Sequence, residues 1–366
     1  MTESVYVNLW NKLNQHAFTA PTDVQGNPQP SFIKHLELTY TPEEAELLQH
    51  MGRPGRFIST RDLAGIVDKA VDDVEAALSR VHKKNGLLGM PGFYSLPPVP
   101  ILFNIHMFYP EVKPGDLEAA ELYQDYFIKD KFYRYYEGSM KGTPAMRTIP
   151  VEMSVEAKQK VLPAEEAHEF ILNHAPEELT LVPCPCRTRT EKMDTRECRD
   201  KFPVGTCIMM GAASLHFEML GLGKRVTRRE AVEYFDTMQE LGLVGLTDNT
   251  ITDNSIICLC CGCCCSNLRG RTRWDNADSV LPSNFIPNAG DECIGCGLCI
   301  ERCMLEALTI DGETGRPVAD ANKCIGCGVC TLTCPQEALA LYRHERSTTF
   351  ESAGDLFKTI AMENRD

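Results

Sequence analysis

The chain has 366 residues, 43% hydrophobic and 24% charged, which is enough material for two or three domains with cores of their own. Its formal net charge of −14 and pI near 5.2 give no basic footprint for nucleic acid over the chain as a whole. No apolar run approaches the length of a membrane span, and the opening residues, MTESVYVNLWNKLNQHAF, do not have the form of a signal peptide. Cysteine is the outlier, with 18 residues. In a long chain without a leader, clustered thiols point to metal in a reducing, cytoplasmic setting rather than to disulfides.

Residues 1–34 read as an N-terminal extension. From 35 to 100 the pattern is helical, then extended. TPEEAELLQHM is a capped helix with Thr41 before Pro42, STRDLAGIV opens a second, and 68–84 forms a third with Val71, Val74, Ala77, Leu78 and Val81 at helical spacing, ended by Gly86. LLGMPGFYSLPP follows as a two-stranded wing. This segment resembles a winged-helix domain. Its third helix places Asp68, Asp72, Asp73 and Glu75 at the end that would meet base edges, so docking of protein, including a second copy of the chain, is favoured over DNA. Residues 101–175 read as a helical connecting region. Within it, 115–137 is an aromatic-rich amphipathic helix whose Tyr123, Tyr126, Phe127, Tyr133 and Tyr136 serve as core or as the wall of a groove. His106, His168, His174 and His216 have no partner at metal spacing and are read as structural.

A cysteine-rich α/β domain is expected over 176–284. LTLVPCPCR is an apolar strand running into a C-x-C turn with Cys184 and Cys186, and a polar loop supplies Cys198 and Cys207. Residues 209–226 look helical. Residues 227–246 hold a second helix, with a Thr227/Glu230 capping box and Gly242 at its end. The run IICLCCGCCCSNL adds Cys258, Cys260, Cys261, Cys263, Cys264 and Cys265. Adjacent residues point in different directions, so one cubane cannot take all six. These ten thiols suit two four-cysteine clusters with two left over, or one ordinary cluster and one larger, unusual one. Arg187, Arg189, Arg196, Arg199, Arg269, Arg271 and Arg273 flank them. They serve either as counter-charges to thiolate clusters or as a solvated basic rim.

The strongest signal is an internal repeat. DECIGCGLCIERCMLEALTI (291–310) and NKCIGCGVCTLTCPQEALAL (322–341) each carry C-x2-C-x2-C-x3-C. Closely spaced thiolates and flexible glycines (Gly295, Gly297, Gly326, Gly328) let a loop wrap one corner of an iron–sulfur cubane, and the fourth cysteine points away from it. Residues 288–342 resemble a bacterial-type ferredoxin with two [4Fe–4S] clusters, so a ferredoxin-like domain is expected over 285–345, followed by a tail at 346–366. The resemblance implies that Cys293, Cys296, Cys299 and Cys334 hold one cluster, and Cys324, Cys327, Cys330 and Cys303 the other. Met304 stands where the second repeat has Pro335. Paired C-x2-C motifs also suit zinc, but this repeated run is not the zinc spacing. The whole chain also resembles ferredoxin-domain iron–sulfur proteins of anaerobic bacteria that carry a C-x-C-R segment and a cysteine-dense run ahead of the dicluster module.

No dinucleotide fingerprint, Walker sequence or nucleophile triad is visible. The expected product is therefore an α+β multidomain iron–sulfur protein that transfers electrons as a subunit or redox partner of an oxidoreductase in an anaerobe-type metabolism. The alternatives are a redox-sensing winged-helix regulator and an enzyme with an unusual catalytic cluster on the central cysteines.

Overall fold

The computed structural model describes residues 4–23, 25–151, 167–346 and 348–364. Residues 152–166 of the expected connecting region lie outside the described residues, as do 1–3 of the extension and 365–366 of the tail. The chain mixes helices with small antiparallel sheets, and it carries the four-cysteine repeats near its C-terminus.

One core runs through the first 136 residues. Helices Val5–Leu13, Pro30–Thr39, Pro42–Leu48, Thr60–Val67 and Val71–Lys83 surround Phe32, Leu36, Leu48, Leu63, Leu78 and Tyr94. The cap expected at Thr41 is a full capping box with Glu44. The third helix starts later than its periodicity suggests. Asp68 closes the preceding helix in the left-handed region (φ 51°), and Val71, at the true start, is exposed. Asn85 (φ 64°) turns the chain out of the helix just before Gly86. Strands β1 (Ile58–Ser59), β2 (Leu88–Met90) and β3 (Phe93–Ser95) form an antiparallel sheet in the order β1-β3-β2. The hairpin was legible in the sequence, whereas two-residue β1 was not. Residues 115–137 are not one helix. Asp116–Tyr123 is α-helical, Gln124–Lys129 widens to a π-turn, and Lys131 (φ 60°) breaks the chain before Tyr133–Tyr136. The break lets Tyr123, Tyr126 and Phe127 pack inward with Phe103 instead of forming one surface stripe.

The central sheet has six strands: β4 (Met146–Ile149), β5 (Leu179–Pro183), β6 (Thr206–Met210), β7 (Lys224–Val226), β8 (Val244–Asp248) and β9 (Ile256–Cys260), in the order β4-β8-β9-β6-β5-β7. Every pairing is antiparallel, so this is not the parallel arrangement that an α/β reading implies. β4 lies N-terminal to the boundary expected at residue 176. The stretch read as a helix over 209–226 divides into the end of β6, helix Gly211–Met219 and β7, because Gly211 (φ 55°) and Gly221 (φ 67°) turn the chain at each end of the helix. Helix Arg228–Leu241 carries the expected capping box and stops at Gly242 (φ 113°). Its Phe235 packs beneath the sheet.

Strands β10 (Phe285–Ala289) and β13 (Leu339–Arg343) pair across the cysteine repeats, and β11 (Leu308–Ile310) pairs with β12 (Pro317–Ala319). Helix Ala353–Glu363 returns to the body, burying Leu356 and Ile360 against Phe18 and Ala145. Among the described residues, no helix is long and apolar enough to cross a membrane.

Candidate metal centres

The two repeats at the C-terminus fold alike. Gly295 and Gly297 have φ of 65° and 79°, and Gly326 and Gly328 have 65° and 78°. A side chain at these positions would be strained, so the glycines let each loop curl around its cysteines. The last cysteine of each repeat accepts a matching bond from the backbone four residues on. Ala307 N–H donates to Cys303 Sγ at 3.5 Å, and Ala338 N–H donates to Cys334 Sγ at 3.3 Å. Cys303, Cys324, Cys327 and Cys330 line one cavity, and Cys293, Cys296, Cys299 and Cys334 line another. Soft thiolate donors, four per cavity, with N–H groups aimed at sulfur, fit two iron–sulfur clusters.

The two cavities differ in setting. Cys296 is exposed, and beside it Ile294 is 64% exposed. The other quartet faces inward. Ile325, Val329 and Cys327, with Met304 of the first repeat, pack with Cys260 and Cys265 of the central region, and Val151 N–H donates to Cys327 C=O at 2.9 Å. Burial pushes the Cys327 thiol up to about 12. Met304, which replaces proline, lines the inner cavity and also a second one that contains Cys198, Cys261 and Cys263. The sequence marks this departure without assigning it a place at the junction.

The ten central cysteines separate into four and six. Cys198, from the loop after helix Pro185–Lys192, meets Cys261, Cys263 and Cys264 from the turn after β9. Their Sγ atoms lie 3.8 Å (198–261), 3.8 Å (198–264), 3.7 Å (261–263) and 3.5 Å (263–264) apart, and all four lie within 4.8 Å of one another. Four thiolates tetrahedrally around one zinc-like ion at about 2.3 Å would be about 3.8 Å apart. A cubane needs them farther apart, because four irons stand between the sulfurs. Without metal, hydrogen bonds from Cys198, Cys263 and Cys264 hold the Cys261 thiol far below its ordinary range, with help from Arg187. Thr190 Oγ1 donates to Cys264 Sγ at 3.2 Å.

The remaining six form a closed ring in the order Cys184, Cys186, Cys265, Cys260, Cys258, Cys207, each thiol interacting with two neighbours. Side chains two residues apart on a strand share a face. Cys258 and Cys260 therefore project together from β9. Cys207 lies on β6 rather than in the expected loop. It is opposite Val182 in the register, which puts Cys184, at the end of β5, on that same face. Cys186, in the first turn of helix Pro185–Lys192, and Cys265 complete the circle, with Cys260 and Cys265 Sγ 3.1 Å apart. No three of these six sulfurs lie within 4.8 Å of one another, so the ring encloses a space instead of converging on a point.

Of the seven nearby arginines, three are buried at the thiols. Arg187 and Arg189 are each 1% exposed. Arg187 donates to Val204 C=O and Leu259 C=O at 2.5 and 2.6 Å, and Arg189 donates to Asn104 Oδ1 while its guanidinium stacks 3.4 Å from the Tyr123 ring centre. Arg187 Nη2 and Arg189 Nε and Nη1 have no hydrogen-bond partner. Burial opposes the Arg187 charge, but Cys184, Cys261, Cys207 and Cys260 outweigh it. Arg269 donates to Tyr123 Oη at 3.1 Å, and Tyr123 Oη lies 2.7 Å from Ser266 Oγ, which is 3.5 Å from Cys186 Sγ. Arg196, Arg199 and Arg273 instead pair with Glu191, Asp194 and Glu197, and Arg271 donates to Val280 and Asn322 carbonyls. His106, His168 and His174 face Asp116, Asp236 and Glu169, and His216 bonds Asn85.

Residues 292–346 match the family model described as a 4Fe-4S dicluster domain, which covers the end of the chain alone. No curated protein and no solved structure matches the chain. The repeats, the dicluster match and the gathered thiols together make this an iron–sulfur protein with a ferredoxin-like module.

Proposed function

We propose that the protein is an electron-transfer partner or subunit of an oxidoreductase, in which the ferredoxin module carries electrons between an external protein and redox centres on the central cysteines. The observation that carries this reading is the polarity of the module. One cysteine quartet includes exposed Cys296, beside exposed Ile294 and Leu298, and the other packs against Cys260 and Cys265 of the central region. When bound, [4Fe–4S] clusters supply one-electron carriers. Cys293, Cys296, Cys299 and Cys334 would hold the outer cluster, and Cys303, Cys324, Cys327 and Cys330 the inner one. The chain's residues bury Cys324 and Cys330 at the inner site, aim Ala307 and Ala338 N–H groups at thiolate sulfur, and place Met304 between module and centre. On its spacing, the quartet Cys198, Cys261, Cys263 and Cys264 holds a single tetrahedral ion, zinc or iron, and the six-thiol ring holds the further iron–sulfur centre.

The N-terminal elements support a winged-helix reading in their order, with three helices and a β1-β3-β2 sheet. Its third helix begins with Asp72 and Asp73, and Glu75 is occupied by Tyr94 Oη (2.6 Å), Thr60 Oγ1 (2.5 Å) and Gly92 N–H. The wing exposes Met90 and a stacked pair, Phe57 and Phe93, with ring centres 5.4 Å apart. Acid at the helix start and apolar rings on the wing favour protein docking, including a second copy, over phosphate.

Freeze-quench EPR tests the electron path. The oxidised protein is mixed anaerobically with a reduced low-potential ferredoxin. The module signal should rise before that of the central centre. A Cys327→Ser variant should still take up electrons at the outer cluster but stall before the centre. Equal reduction of the centre in variant and wild type would overturn the path.

A further inference from the structure

We propose that the six-thiol ring holds one iron–sulfur cluster of more than four irons, and that the cavity beside it admits a small, uncharged, mostly apolar molecule to that cluster. This rests on the reading of the central thiols as redox centres and deepens it.

Three observations carry the proposal. All six thiols line one cavity, and the register sets Cys184, Cys207, Cys258 and Cys260 on one face of the sheet. A cubane would take four and strand two beside it. A single ion fits worse, because no three sulfurs converge. The open space at the ring is the second. The two ferredoxin quartets each line a cavity of about 20 Å³, whereas the six ring cysteines line one end of a cavity of about 270 Å³ that continues to an apolar wall. The third is the unpartnered donors of Arg187 and Arg189 at the ring. Buried cations with free N–H groups are costly unless an anion with several acceptors stands against them. Thiolates and sulfides of a large cluster are such acceptors.

The cavity extends past the cysteines and sets the class of ligand. Ile101, Phe108, Met146, Ala213, Phe217 and Phe357 form its far wall. Apolar walls with few polar groups suit a small neutral molecule. Asp248, also on the wall, is occupied by Ser255 N–H (2.6 Å) and Oγ (2.9 Å) and leaves little for a cationic guest. The guest would present one soft or unsaturated donor to the cluster and bury its tail among Phe108 and Phe217, whose ring centres are 4.6 Å apart.

The test uses full-length protein, purified and reconstituted anaerobically, with and without Cys258→Ser plus Cys265→Ser. The ferredoxin module accounts for about eight irons and should keep its EPR signals in the variant. The difference in iron between the two proteins is the ring's content. A loss clearly above about four irons supports the proposal; a loss of about four means an ordinary cubane and overturns it while leaving the electron-transfer reading intact. No loss at all overturns both. If the variant fails to fold, Mössbauer spectra of the unaltered protein decide the same point from the area outside the ferredoxin signals. For the cavity, n-butyl isocyanide should perturb the signal of the ring cluster and not those of the module. Ala213→Phe, which fills the far wall, should abolish that perturbation without changing iron content. No perturbation, or the same perturbation in the variant, overturns the ligand site.

Discussion

The ferredoxin module and the central cysteine region use the same donor atom in opposite ways. In the module, three of the four cysteines that line each cavity come from one tight loop, and the glycines at φ near 65° and 79° build each half in place. In the central region, the six ring thiols come from β5, helix Pro185–Lys192, β6, β9 and the turn that follows, so the ring exists only after the sheet has formed. A locally encoded site should survive damage elsewhere, whereas an assembled one depends on the core and its counter-charges.

The largest expected effect separates the two. Arg187→Gln removes a buried cation that faces both thiol groups, and loss of one buried charged partner costs about 3–5 kcal/mol. Iron in excess of the module's complement should fall sharply, while the module's EPR signals persist. Loss of both together would show that the two regions are one cooperative unit. Arg187→Lys keeps charge without the planar fork and should recover only part of the loss.

A smaller effect is set by pH. Glu137 is buried, with Asn276 Nδ2 donating to it, and burial raises its pKa from 4.5 to about 9. Between those values the folded state holds a proton that the unfolded chain releases. Its contribution is therefore fully present below pH 4.5 and is lost as pH rises towards 9, by up to about 1.4 kcal/mol per pH unit. Glu137→Gln should flatten that slope in denaturant titrations between pH 6 and 8 and leave iron content unchanged; an unaltered slope would refute the assignment. Smaller still, Thr227→Ala removes the cap of helix Arg228–Leu241 and should cost about 1 kcal/mol of stability, read by urea unfolding, without moving any EPR signal.

The same contrast explains what was legible in the sequence. C-x2-C-x2-C-x3-C encodes its own loop, so its cysteines and glycines could be named by number, while the crossed quartets came from the resemblance to a ferredoxin. The cap at Thr41, the capping box at Thr227 and the 88–95 hairpin are local too, and were equally readable. The division of the ten central thiols was not. It depends on the antiparallel register that sets Cys184, Cys207, Cys258 and Cys260 on one face, and on a turn that swings Cys261, Cys263 and Cys264 towards Cys198. Composition could place arginines near the cysteines but could not separate buried Arg187 and Arg189 from the ion-paired Arg196, Arg199 and Arg273. The aromatic run at 115–137 misled for a related reason. Its helical period is real, but Lys131 breaks the chain where the core needs the rings to turn inward.

The division into four and six is the centre of this account, and metal and acid-labile sulfide analysis of a Cys261→Ser, Cys264→Ser variant tests it most directly. The expected result is the loss of about one metal ion per chain with no loss of sulfide, because four thiolates 3.5–3.8 Å apart fit one tetrahedral ion. Loss of about four irons together with about four sulfides would place a cubane there and contradict the account.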